Sequence, residues 1–198
     1  MHEQAVKRIT RYLFHTSTNS IIYTPDRDKS VHCYFDADFA GLWNYGDAQD
    51  PVSVVSRTGY TIHYAGCPLV WLSKLQTEVA LSTTEAEYIA LSQSLCDVLP
   101  LLNLLKELQL TFPFITKQPV ISCTLFEDNA GALQLATTHK TCPRTKHLSL
   151  KYHHFRSHVS SGLISILPIN TFEQLADIFT KPQPEATFKY LCFKLLGW

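Results

Sequence analysis

The sequence predicts an α/β fold, one mixed sheet with helices packed on it. Three β-type runs follow one another between residues 31 and 72, separated only by loop and turn signals. A capping box then opens a long helix carrying a single apolar stripe. Beyond that helix, strand-like and helix-like segments alternate toward the C-terminus, the pattern of a sheet covered by helices.

Val6, Ile9 and Leu13 fall at helical spacing with Lys7, Arg8 and Arg11 on other faces, so a helix over about 3–14 is expected. Ile21-Ile22-Tyr23 reads as a short strand stopped by Pro25. The charged run DRDK reads as a linker, and divides residues 1–28 from a main domain over 29–198. Val31 to Phe35 is a β-run leading into Asp36. GLWNYGDAQDPVS is loop, Tyr60 to Tyr64 a strand, AGCP a turn and Leu69 to Leu72 another strand, most simply an antiparallel meander. Ser82-Thr83-Thr84-Glu85 is the capping box. Leu91, Leu95, Val98, Leu102 and Leu105 make the stripe, which Pro100 is expected to kink or split. Val120 to Phe126 is a strand, Asn129 to Thr137 a short helix, Thr145 to Ser160 a basic, histidine-rich helix and Leu163 to Ile169 the last strand. Helices over about 171–180 and 184–196 follow.

The chain has 198 residues, 45% of them hydrophobic and 17% charged, the composition of a globular domain with a real core. A formal net charge of zero argues against a general nucleic-acid coat but not against an enzyme with one basic strip. The cysteines at 33, 67, 96, 123, 142 and 192 form no CxxC pair, so a zinc knuckle is not expected and buried free thiols in a reducing compartment are. The N-terminus is charged and helical rather than a secretory leader, and no membrane partner is expected. Trp71, in a strand, is expected in the core.

Four acidic residues carry the functional reading: Asp36 in YFDADFAG, Glu87 in STTEAEYIAL, Asp128 in LFEDNAGAL and Asp177 in EQLADIFTK. Asp36 ends one strand and Asp128 follows another, so neighbouring strands would deliver both to one edge of the sheet. Glu87, in the first turns of the long helix, can point over that edge, and Asp177 would come from the C-terminal helix. Asp38 shares a strand face with Asp36 and can join them. Carboxylates gathered in this way suit magnesium or manganese, and two ions roughly 4 Å apart would clamp the attacking water and the leaving oxygen of a phosphodiester displacement.

The blocks YFDADFAG, SRTGYTIHYAGCPLVWLSKLQ, ALSTTEAEYIALS, EDNAGALQLA, RTKHLSLKYHHFR and QLADIFTKP closely resemble, in order and over about 31–182, the ribonuclease H domain of copia-type LTR-retrotransposon Pol polyproteins. The resemblance implies an RNase H-like fold with a five-stranded mixed sheet flanked by helices. It also implies hydrolysis of RNA paired to DNA during reverse transcription, with two Mg2+ (or Mn2+) ions as cofactors. The implied partners are the hybrid and the reverse transcriptase domain of the same polyprotein, in cytoplasmic virus-like particles or the nucleus. AVKRITRYLFHTSTNSIIYTP resembles the connecting segment at the end of the reverse transcriptase. By motif, Asp36, Asp128 and Asp177 match metal-binding aspartates; the glutamate is Glu85 or Glu87, with Glu87 chosen because EYIAL resembles the family's glutamate and the small apolar stripe after it.

A hybrid-binding enzyme needs a basic strip for phosphates, and Arg144, Lys146, His147, Lys151 and Arg156 lie in one short region. Ser56, Arg57, Thr58, Lys74 and Gln76 are further candidates for contacts to the nucleic-acid backbone. His147 reads first as a surface or helix N-terminal residue, the alternative being that it orients a water near the metals or assists product release. Two other classes compete. One is a catalytically inactive retrotransposon relic acting as a scaffold or nucleic-acid-binding domain, since the chain has no polymerase YxDD, protease DTG or integrase zinc module. The other is a strand-transferring integrase of related fold, which fails because the position where its glutamate should follow Asp128 holds Leu163 and Ile164.

Overall fold

Residues 31, 33, 35 and 37 of the first strand are buried and apolar, and a long helix lies across them. The computed structural model describes residues 2–27, 29–43, 53–112, 121–137 and 156–198. The elements are α1 (His2–His15), β1 (Val31–Asp38), β2 (Arg57–Tyr64), β3 (Cys67–Leu75), α2 (Thr83–Thr111), β4 (Cys123–Glu127), α3 (Ala130–Thr137), β5 (Ile164–Pro168), a 3-10 turn (Thr171–Glu173), α4 (Asp177–Thr180) and α5 (Glu185–Leu196). The sheet order is β3-β2-β1-β4-β5. The first three strands form an antiparallel meander, and β4 and β5 join parallel to β1. This is the expected five-stranded mixed sheet with helices.

α2 supplies the main core: Ile89, Leu91, Leu95, Val98 and Leu102 pack on Val31, Cys33, Phe35, Ile62, Leu125 and Ile164. Pro100 neither splits nor ends it; the helix is continuous over 29 residues. The proline ring is exposed, and Val98 and Leu102, both fully buried on either side of it, hold the helix to the sheet through the missing hydrogen bond. By length and composition α2 could cross a membrane, but its apolar stripe is the cover of this sheet. The opposite sheet face carries a smaller cluster of Leu175, Leu191 and Leu195, with Tyr34, Ile178 and Phe179 packed against it.

Several expectations are corrected. Ile21–Tyr23 is not a strand: Ile22 N–H bonds the Leu196 carbonyl at the end of α5, a single bond rather than a ladder. The expected helix over 171–180 is a 3-10 turn and a one-turn helix. The break falls at the fully buried Gln174, whose side-chain amide donates to the Phe126 carbonyl and accepts from Ala176 N–H. Trp71 is half exposed and lines an apolar cavity with Ile21, Pro68, Phe179 and Leu195 rather than the core. Cys33, Cys67, Cys123 and Cys192 are buried free thiols, whereas Cys96 is exposed on α2. Of the expected helix over 145–160, residues 156–160 are helical and the rest lies outside the described residues. On α1, Val6, Ile9, Leu13 and Phe14 are all exposed, and Tyr12 meets the Phe188 ring of α5 edge-on.

Candidate active site

The ladder between the parallel strands β1 and β4 ends at Tyr34↔Phe126. Asp36 and Asp128 lie just past this point, where the strand ends separate and open a cleft. The cleft, about 470 Å³, is lined by Asp36, Asp38, Thr83, Glu87, Asp128, Asn129 and Lys181 among others. Asp36, Glu87 and Asp128 each present a carboxylate oxygen, and these atoms all lie within 4.8 Å of one another.

Each carboxylate is delivered by a specific local structure. Asp36 sits on the central strand opposite Gly59 of β2, and is buried. The Thr180 hydroxyl donates to its Oδ2. Gly59 is needed there because α4 lies directly on it: a Cβ would come within 2.7 Å of Thr180 Cγ2 and 2.8 Å of Phe179 Cβ.

Glu87 is on the second turn of α2, whose start is fixed twice. Ser82 Oγ accepts from Glu85 N–H at 3.1 Å, and the Glu85 carboxylate accepts from Leu81 N–H at 2.9 Å, one residue before the expected reciprocal partner. Gln76 then ties this end to the sheet, donating to Thr58 Oγ1 at 3.0 Å and the Ala86 carbonyl at 2.9 Å. Glu85 is thus occupied in the cap, and Glu87 is the glutamate brought to the cleft. Asp128 precedes α3, whose first turn is capped by Asn129 Oδ1, which accepts from Gly131 and Ala132 N–H.

Asp177 opens α4 rather than the C-terminal helix, and is not one of the three clustered carboxylates. It lies beside Asp36, and Lys181 serves both: its Nζ is 2.8 Å from Asp177 Oδ1 and 3.6 Å from Asp36 Oδ1.

Burial dominates the electrostatics. It raises Asp36 above the usual carboxylate range despite the lowering influence of Lys181 and Thr180, with Asp128 and Asp38 adding repulsion. Glu87 is pushed up to about 11 by burial first, then by Asp36, Glu127 and Asp128. Asp177 rises to about 6 through burial, which outweighs Lys181. Burial would lower Lys181, but Asp36 and Asp177 outweigh it and hold the ammonium above its ordinary value.

The residues fit a hard divalent cation. The donors are all oxygen, and Glu87 Oε2 is buried without a hydrogen-bond partner, an orphaned atom that a cation would satisfy. An acid-rich pocket in which Asp36 and Glu87 are raised by burial first and by neighbouring carboxylates second is one that a cation stabilises.

The expected nucleic-acid contacts divide. Arg57 and Lys74 stay accessible at the end of the meander, Arg57 donating to Ser73 Oγ at 3.3 Å. Ser56, Thr58 and Gln76 are buried and structural, so they are withdrawn as contacts. Arg144, Lys146, His147 and Lys151 lie outside the described residues, and Arg156 is partly buried. Sequence reasoning missed Glu127, Gln174, Thr180 and Lys181. Glu127 is buried and raised to about 8, by burial foremost, and Asn129 N–H donates to its Oε1 at 2.8 Å. The alternation Cys123, Leu125, Glu127 on the buried face of β4 was the signal for it.

No family model matches the chain. It is 36% identical over 194 residues to the retrovirus-related Pol polyprotein from transposon RE1 of Arabidopsis thaliana, covering 98% of this chain and 12% of that protein. To the corresponding polyprotein from transposon TNT 1-94 of Nicotiana tabacum it is 37% identical over 196 residues, covering 99% of this chain and 13% of that one. The chain thus spans about an eighth of the length of these curated relatives. Among solved structures, the N-terminal ribonuclease H domain of a Mycobacterium tuberculosis protein, fused to maltose-binding protein, is similar in fold: TM-score 0.51, 12% identity, 82% of this chain and 99% of that chain covered.

Proposed function

The chain belongs with the Pol polyproteins of copia-type LTR retrotransposons and has the ribonuclease H fold, and from that premise we propose that it is the nuclease that hydrolyses the RNA strand of RNA–DNA hybrids during reverse transcription. The observation that carries this reading is the convergence of Asp36, Glu87 and Asp128 from three separate elements within 4.8 Å at the open end of the sheet. A structural ion pair with Lys181 accounts for Asp36 but not for Glu87 and Asp128, whose carboxyl groups share the cleft with it.

In this reading Asp36, Glu87, Asp128 and Asp177 would hold two divalent ions, the first among Asp36, Glu87 and Asp128 and the second between Asp36 and Asp177. When bound, such ions supply a water acidic enough to attack at neutral pH and a counter-charge for the leaving oxygen. The protein's own part is placement. Thr180 fixes the rotation of the Asp36 carboxylate, the Ser82 cap and Gln76 fix the height of Glu87 above the sheet, and Asn129 fixes the turn carrying Asp128. Arg57 and Lys74, on adjacent strands, are assigned to phosphates of the hybrid, as are Arg144, Lys146 and His147. Residues 1–28 are assigned as the connection to a reverse transcriptase, and the virus-like particle as the site of action.

A labelled RNA–DNA duplex incubated with magnesium tests this. Wild-type protein should cut the RNA strand and spare single-stranded RNA. Asp36→Asn, isosteric and still able to accept from Thr180, should fold normally and lose cleavage by at least about a hundredfold. Wild-type turnover by Asp36→Asn would overturn the reading.

A further inference from the structure

Lys181 differs from the other lysine–carboxylate pairs of its spacing. Lys7–Glu3 and Lys189–Glu185 are solvent pairs in which both partners are at least 62% exposed. Lys181 instead reaches two carboxylates from different elements, Asp36 on β1 and Asp177 on α4, whose side chains are only 3% and 7% exposed. Its own side chain is 37% exposed and lines the cleft. The anions are locked in; the cation has a route out to solvent.

The hydrogen-bonding around it has the same sense. Asp36 Oδ2 is taken by Thr180, and Oδ1 is the atom that faces Lys181. Lys181 N–H also donates to the Asp177 carbonyl at 3.2 Å, so the backbone that carries the ammonium is anchored while the flexible four-carbon stem is not. A monovalent charge on a movable stem therefore lies between two fixed carboxylates.

We propose that Lys181 is a resident counter-cation of the cleft, holding between Asp36 and Asp177 the position that a second divalent ion takes, so that this ion enters only by displacing its ammonium. The proposal rests on the reading of Asp36 and Asp177 as ligands of that ion. It makes loading of the second position a competition between an internal and an external cation, and it makes the first position, at Asp36, Glu87 and Asp128, the one that fills at lower divalent concentration. The freed ammonium then faces the cleft mouth, where the negatively charged substrate backbone arrives.

Counting bound Mn2+ by the electron paramagnetic resonance of the free ion separates the possibilities. Lys181→Met, which keeps length and removes charge, should bind its second Mn2+ about tenfold more tightly than wild type, with the first unchanged. Lys181→Arg should behave as wild type, and adding Asp177→Asn to Lys181→Met should abolish the gain. Without divalent ions Lys181→Met should melt below wild type, and the gap should close at saturating Mn2+, which a purely structural lysine would not do. Unchanged or weaker second binding in Lys181→Met, or Lys181→Arg behaving like Lys181→Met, overturns the proposal. The underlying reading fails separately, if Asp36→Asn leaves Mn2+ binding intact.

Discussion

Gly59→Ala should damage the site without touching an acidic residue. The added Cβ would stand 2.7 Å from Thr180 Cγ2, 2.8 Å from Phe179 Cβ and 3.1 Å from the Ala176 carbonyl oxygen. Carbon–carbon contacts settle near 3.5–4.0 Å, so α4 must retreat from β2 by about 1 Å. None of the three neighbours is the free end of a long side chain, and two belong to consecutive residues of a short helix that cannot yield one at a time. Overpacking of this kind costs about 1–3 kcal/mol, a fall in melting temperature of roughly 2–12 °C for a domain of this size. The same retreat carries Thr180, Asp177 and Lys181 away from Asp36, and a misplacement of about 1 Å at reacting groups costs on the order of a hundredfold in turnover. Melting by circular dichroism, and single-turnover cleavage of a labelled hybrid well below the mutant's midpoint, read the two effects apart. A folded Gly59→Ala protein with wild-type turnover would refute the claim that the approach of α4 to Gly59 sets the site.

Asp177→Asn should reduce cleavage by about tenfold, less than Asp36→Asn does, because it would hold only the second ion; steady-state kinetics at varied magnesium check this. Stability without divalent ions should fall as pH rises. Asp36, Glu87, Glu127 and Asp177 have folded pKa values above their unfolded values near 4, so the folded state holds more protons, and stability is greatest below that range and declines through about 6 for Asp177 and about 8 for Glu127. Magnesium should therefore raise the melting temperature more at pH 8 than at pH 5; an equal rise at both would contradict the raised values. Gln174→Ala should cost about 1–3 kcal/mol in urea denaturation, since it strips a partner from the Phe126 carbonyl beside Asp128.

The strands and α2 were legible because their signals are local. The alternation Val31, Cys33, Phe35, the spacing of Leu91, Leu95, Val98 and Leu102, and the Ser82 cap each follow from the geometry of one element. Asp36, Glu87 and Asp128 were legible as ends of such elements. The ambiguity between Glu85 and Glu87 was not resolvable locally, since both lie in the first turns of α2; in the fold Glu85 accepts from Leu81 N–H while Glu87 lines the cleft. What escaped depends on contacts far apart in the chain. Gln174 breaks a helical pattern because a carbonyl 48 residues earlier takes its amide, and Pro100 fails to break one because the sheet holds the helix on both sides. Trp71 looked like core because its strand is apolar, but β3 is the edge of the sheet and offers its outer face to solvent. Lys181 lies four residues after Asp177, a spacing readable as an ion pair, yet its second partner, Asp36, is visible only once β1 and α4 meet.

Anomalous scattering from a crystal of the protein soaked in manganese addresses the cleft most directly. A peak coordinated by Asp36, Glu87 and Asp128 together is the expected result. Peaks only at other surface carboxylates, or none at saturating manganese, would contradict the convergence of these side chains into a cation-binding nuclease site.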